Sequence, residues 1–140
     1  MKILILFCCL FFLFSCDQKP SYRSAPFDGQ QVSIDVHQLR EAVPEFYSVV
    51  LEGKRIDFFV VLVNGEVASY LDACKECYVK KLGYRQDKGS MVCRACNVRF
   101  PLEKLDTGIG GCYPVRLRGS RVGDAYILGR EALRAGTKYF

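Results

Sequence analysis

Cys74-Lys75-Glu76-Cys77 and, fifteen residues further on, Cys93-Arg94-Ala95-Cys96 form the stretch from which the fold of this chain is read. Two residues between cysteines let a tight turn aim both sulfurs at one ion while its backbone N–H groups hydrogen-bond the thiolates. Two such turns supply four ligands.

Upstream, Phe46 to Leu51 and Ile56 to Val63 are rich in β-branched and aromatic residues. Asn64-Gly65 between Val63 and Glu66 signals a tight hairpin, because both positions of such a turn need positive φ. Its second arm, Glu66 to Leu71, runs toward Cys74. Val32, Ile34 and Val36 alternate with polar residues as a strand does, and Asp35 with Gln38 predicts a capped helical turn continuing to Val43, before Pro44. Downstream, short strands are expected at Met91-Val92, Val98 to Phe100, Tyr113 to Leu117 and Ala125 to Leu128, with a brief closing helix over Arg130 to Ala135. The class is mainly β, one domain organised around cysteines.

The chain opens with Met1-Lys2 and twelve uninterrupted apolar residues, Ile3 to Phe14, then Ser15-Cys16. A bilayer-spanning helix needs about 20 apolar residues, so this run suits a secretory signal better than a permanent span. Leu13-Phe14-Ser15-Cys16 resembles a bacterial lipobox, which makes residues 1–15 a signal peptide, Cys16 a lipidated N-terminus, and 16–31, with Pro20, Pro26 and Gly29, a flexible tether to a domain spanning 32–140. Asp17 resembles a retention signal for the inner membrane, on its extracytoplasmic, periplasmic face. Loss of residues 1–15 leaves 19 basic and 15 acidic side chains, a formal balance of +4. Nucleic acid is excluded as a partner by compartment; the mild charge suits an anionic membrane surface, an acidic protein or an anionic cofactor.

Of the eight cysteines, Cys8 and Cys9 lie in the signal and Cys16 at the lipid site, which leaves Cys74, Cys77, Cys93, Cys96 and Cys112. An oxidising compartment permits disulfides, but five cysteines cannot all pair within one chain. Cys74-Lys75-Glu76-Cys77 also admits a dithiol redox reading, although the segment up to Gly83 is short for the helix that such pairs open. Four thiolates suit structural zinc and an iron-sulfur cluster alike. Lys75, Lys80, Lys81, Arg85, Lys88, Arg94 and Arg99 either offset the thiolate charge or are solvated loop cations. Gly108-Ile109-Gly110-Gly111-Cys112 is expected to lay backbone N–H groups and a fifth thiol against the site. Tyr84, Phe100 and Tyr113 read as ordinary core or as shields against water, and His37, the one histidine, lies far upstream of any ligand set. No acid/base pair, activated serine or phosphate loop stands out, so substrate turnover is not expected of this domain alone.

From Val32 to Phe140 the chain resembles the FtrD-like family of membrane iron-sulfur proteins found with bacterial iron-uptake permeases. The likeness lies in Asp72-Ala73-Cys74-Lys75-Glu76-Cys77-Tyr78, Gly83-Tyr84, Val92-Cys93-Arg94-Ala95-Cys96, Arg99-Phe100-Pro101 and Gly110-Gly111-Cys112-Tyr113-Pro114, with Leu133 and Tyr139-Phe140 at the close. The resemblance implies an iron-sulfur cluster on Cys74, Cys77, Cys93 and Cys96, a fifth functional cysteine at 112, and electron transfer or redox support for iron uptake beside a membrane permease. Two features depart from the family. Tyr113 stands where asparagine is frequent, and a lipid replaces the multi-span region of many members. At a distance the segment is also similar to a Rieske domain, with a hairpin leading to one ligand turn and a second turn preceding a Phe. That likeness implies a small β-sandwich with two C-x-x-C knuckles and a short C-terminal helix. All-cysteine ligation in place of two imidazoles implies a lower potential.

Overall fold

The computed structural model describes residues 19–140. The expected signal peptide, with Cys8 and Cys9, and the expected lipid site Cys16 lie outside the described residues. The fold is mainly β with one short C-terminal helix, as expected. Its strands are β1 (Arg23–Ser24), β2 (Gln31–Asp35), β3 (Glu45–Leu51), β4 (Lys54–Val63), β5 (Glu66–Cys74), β6 (Tyr84–Asp87), β7 (Ser90–Cys93), β8 (Arg99–Pro101), β9 (Pro114–Leu117), β10 (Ser120–Val122) and β11 (Ala125–Gly129), closed by α1 (Arg130–Gly136).

The strands form a five-stranded sheet in the order β1-β3-β4-β5-β9 and two three-stranded sheets, β10-β11-β2 and β6-β7-β8. The larger sheet lies in the middle because β4 carries apolar side chains on both faces. Successive strand residues point to opposite sides. Accordingly Ile56, Phe58 and Val60 enter one core with Val32, Ile34, Leu128 and Leu133, while Phe59 and Val61 enter the other with Tyr84, Met91, Phe100, Leu102 and Leu105. The uninterrupted run Ile56 to Val61 is the sequence signature of a strand covered on both sides. The hairpin to β5 is made as expected, with Asn64 at φ 53° and Gly65 at φ 79°.

Two sequence expectations need correcting. The helical turn does not continue to Val43: it is one 3-10 turn, Val36–Gln38, capped where the Asp35 carboxylate accepts from the His37 N–H at 2.9 Å. Leu39 is already extended, and Ala42, at φ 57°, turns the chain so that its N–H donates to the Leu62 carbonyl. The ordered body also begins well before Val32. β1 pairs in parallel with β3, Ala25 is buried, and Lys19 and Tyr22 reach across to β5. Aromatic stacking of Tyr22 on Phe46, with ring centroids 4.8 Å apart, and the side-chain contacts of Lys19 hold a segment whose composition alone suggests a linker.

Candidate metal centre

β5 delivers the first knuckle. Tyr70, Asp72 and Cys74 project toward the cysteine side of the central sheet, and the register of β5 against β9 shifts between Tyr70 and Cys74, which still pairs with Pro114. β7 delivers the second: Cys93 is its last residue and Cys96 follows on the next turn, closed by the Asn97 N–H donating to the Cys93 carbonyl at 2.8 Å. Asn97 takes φ 59°, so the turn reverses in two residues and Val98 returns to pair beside Cys93. The Arg94 N–H donates to the Gly83 carbonyl at 3.0 Å, which extends the β6–β7 pairing into the second knuckle.

A third loop closes on these two. Ile109 and Cys112 exchange backbone hydrogen bonds of 2.8 and 2.9 Å, with Gly108, Gly110 and Gly111 all at positive φ. The Lys75 N–H donates to the Tyr113 carbonyl at 3.0 Å, which zips this loop against the first knuckle. Cys112 is therefore held in place by backbone pairing.

The five sulfurs converge. Those of Cys74, Cys77 and Cys93 lie within 4.8 Å of one another, as do those of Cys77, Cys96 and Cys112, so Cys77 belongs to both groups. Cys74 and Cys93 are buried, Cys77 and Cys112 half-buried, and Cys96 exposed. The site thus has a closed inner edge and a solvent-facing outer one. All five cysteines are free thiols, and no disulfide joins them.

The backbone supports thiolate charge on both knuckles alike. Cys74 accepts from the N–H groups of Glu76 and Cys77, Cys93 from those of Ala95 and Cys96, and Cys96 from that of Val98. Burial works against the Cys74 thiolate, yet the Tyr84 hydroxyl and these N–H groups outweigh it and hold its pKa below the usual thiol value. Burial likewise opposes Cys96, whose pKa still falls through Val98 and the neighbouring thiols. Burial first, then the hydrogen bond with Cys96 and the charge of Cys74, push Cys77 to about 12; burial first and the charge of Cys74 second push Cys112 to about 11. Burial pushes Cys93 to about 12 despite its backbone donors. Anionic sulfur cannot accumulate here without a cation to offset mutual repulsion, which is the electrostatic requirement of a metal site.

Tyr84 adds a second indication. It is fully buried, its ring meets Phe59 and Phe100 edge-on, and its hydroxyl makes no aligned hydrogen bond while lying close enough to Cys74 to favour that thiolate. A buried hydroxyl without a settled partner, aimed at a thiol set, fits a site whose sulfurs accept hydrogen bonds when they carry charge. Donor chemistry and this hydroxyl both suit a thiolate-bound metal or iron-sulfur cluster.

Sequence reasoning did not find the support behind the first knuckle. The Asp72 carboxylate is buried and accepts from the Tyr84 N–H at 2.7 Å and the Tyr22 hydroxyl at 2.8 Å, while Lys19 Nζ lies 2.8 Å away. Lys19 also contacts Asp57 at 2.9 Å, and Asp57 in turn accepts from Arg55 Nε at 2.8 Å. Only the burial of a charged residue two positions before Cys74 could have hinted at this, and burial of β5 on that face is not visible locally. Of the basic residues near the knuckles, Arg85 and Arg99 pair with Asp87 on the β6-β7-β8 sheet, whereas Lys75 lies over the Tyr139 ring. Arg94 Nε donates to the Tyr84 carbonyl. Tyr84 and Phe100 are core residues, while Tyr113 is partly exposed. His37 sits on the surface 3.2 Å from Asp124 and belongs to neither sulfur group.

A mainly β domain in which strand ends and a glycine loop gather five free thiols has the donor set of a small cysteine-rich metal-binding protein. Residues 39–140 match the family described as membrane iron-sulfur containing protein FtrD-like, and the chain belongs to that family. No curated protein matches the sequence. Among the described residues no helix is long and apolar enough to cross a membrane.

Proposed function

We infer that this chain is an envelope lipoprotein that holds an iron-sulfur cluster on Cys74, Cys77, Cys93 and Cys96 and serves electron transfer in support of iron uptake. The observation that carries the reading is the gathering of both knuckles and Cys112 into one set of sulfurs, in a chain of an iron-sulfur family. When bound, such a cluster supplies one-electron redox chemistry. The chain's own residues bind it through the knuckles, support the inner thiolate with Tyr84 and backbone N–H groups, and keep water from the inner edge with Phe59, Tyr84 and Phe100. Cys96 and Cys112 form the edge that a membrane redox partner, such as an iron permease, reaches.

Protein purified without oxygen from native membranes is expected to contain iron and acid-labile sulfide and to bleach reversibly on reduction. One zinc per chain with no redox response would replace this reading with a zinc-stabilised binding module, since tetrathiolate sites accept both metals. Cys112→Ser is expected to keep iron and sulfide but shift the reduction potential, because the two knuckles already provide four ligands. Loss of the cluster in that variant would make Cys112 a ligand.

Lipidation is tested separately. Cys16→Ser is expected to abolish incorporation of a fatty-acid analogue and release the domain from membranes. Labelling that persists in the variant would refute acylation at Cys16.

A further inference from the structure

Beside the cysteine site the chain enters the fold at a cationic cavity of about 590 Å³, lined by Lys19, Lys54, Arg55, Asp57, Lys81 and Phe140. Four basic side chains line it, against the one carboxylate side chain of Asp57. Lys19 and Arg55 are engaged by Asp57, and Lys19 by Asp72 as well. Lys54 donates to the Thr137 carbonyl at 3.3 Å, and neither it nor Lys81 has a carboxylate in ion-pair reach among the described residues. Two cationic charges at this face are left for an external anion.

Lys19 is the first residue described, and it is held in place, because its side chain is only 16% exposed and its ammonium lies between two carboxylates at 2.8 and 2.9 Å. It lies three positions after Cys16, a distance of at most about 11 Å when fully extended. Resting on the reading of Cys16 as the lipid site, we propose that the Lys19–Lys54–Lys81 face docks on the phosphates of anionic phospholipid headgroups and fixes the cysteine site at the bilayer surface. A diacyl chain three residues away holds the cavity mouth at headgroup depth, where Lys54 and Lys81 find the anionic charge that the fold leaves them without. Lys19 and Lys81 also line the narrow crevice that ends at Cys74, Cys77 and Cys93, so the docking face and the sulfur site share a wall. Docking therefore sets the distance between the site and a membrane partner; a long free tether would leave it variable.

The test is lysine footprinting with a membrane-impermeant acetylating reagent on the full-length protein, reconstituted in vesicles of phosphatidylglycerol or of phosphatidylcholine. Lys88 is the internal control, since it does not line the cavity. Lys54 and Lys81 are expected to label several-fold more slowly relative to Lys88 in phosphatidylglycerol than in phosphatidylcholine, and molar salt is expected to erase the difference. Equal relative labelling in both vesicles overturns the proposal. So does equal protection by inorganic phosphate without lipid, which would mark a site for a soluble anion. The intact mass of the same sample reports acylation independently. Acylated protein without protection sinks the docking face alone, whereas an unacylated mass refutes the lipid reading and leaves the vesicle comparison to decide the face. Lys54→Glu, at an exposed residue outside the metal site, is expected to reduce the dependence on phosphatidylglycerol, read as labelling of Lys81.

Discussion

Cys74→Ser and Cys93→Ser are each expected to lose the metal and lower the thermal midpoint together, by roughly 10 °C or more for a domain of this size. Both residues are buried in the core on the cysteine side of the central sheet, and both accept backbone N–H groups from their own turns. The excursion they anchor packs on the sheet through Tyr84, Met91, Phe100, Leu102 and Leu105, while the turns that carry the sulfurs are tied to one another at the site, so coordination adds to what orders residues 74–112. Cys96→Ser, at the exposed edge, is expected to weaken metal retention with a smaller loss of midpoint. The measurement is calorimetric unfolding of loaded and chelated protein beside the variants. Chelated protein that keeps its midpoint and its protease resistance would show that the knuckles do not hold the fold.

A comparable effect is expected at a residue that supplies no sulfur. Gly83 has φ 65°, and a methyl group there would press into the Asp72 carboxylate, with Asp72 Cγ 2.6 Å from the new carbon. Asp72 cannot retreat, because Lys19, Tyr22 and the Tyr84 N–H fix it in a buried position. Gly83→Ala is therefore expected to cost about 3–5 kcal/mol, the scale of disrupting a buried charged network. Gly89 has nearly the same backbone, φ 72°, with open space around it. Gly89→Ala carries only the left-handed penalty of about 1–2 kcal/mol. Denaturant unfolding of the pair separates backbone strain from the carboxylate contact, and equal losses would remove Asp72 from the explanation.

The parts of this molecule legible in its sequence are those whose cause is local. Asn64-Gly65 determines its own turn, the run Ile56 to Val61 announces a strand covered on two sides, and the spacing within each knuckle already contains the N–H to sulfur geometry. What was not legible depends on partners distant in sequence. β1 is two polar residues that become a strand only because β3 offers an edge, and β6 and β10 are similarly short and polar. Lys19 and Asp72 are 53 positions apart, and nothing near either announces the other. The helical turn after Asp35 ended early because Glu41 and Ala42 found pairing with Leu62, a competition that the capping pattern cannot register.

Neighbouring residues Phe58 and Phe59 stand in different cores, and this bears on whether the sulfur-bearing half can be moved. Many metal-binding loops behave as cassettes that can be transplanted between scaffolds. Here the floor under the cysteines is the reverse side of the same strand that closes the opposite core, with Phe59, Val61 and Tyr70 supplied by the sheet and Tyr84, Met91 and Phe100 by the excursion that carries the ligands. An excised segment would leave an apolar floor bare and arrive at its new host without one. The two layers have to be inherited as a unit, and engineering of the centre is confined to side chains at its outer rim.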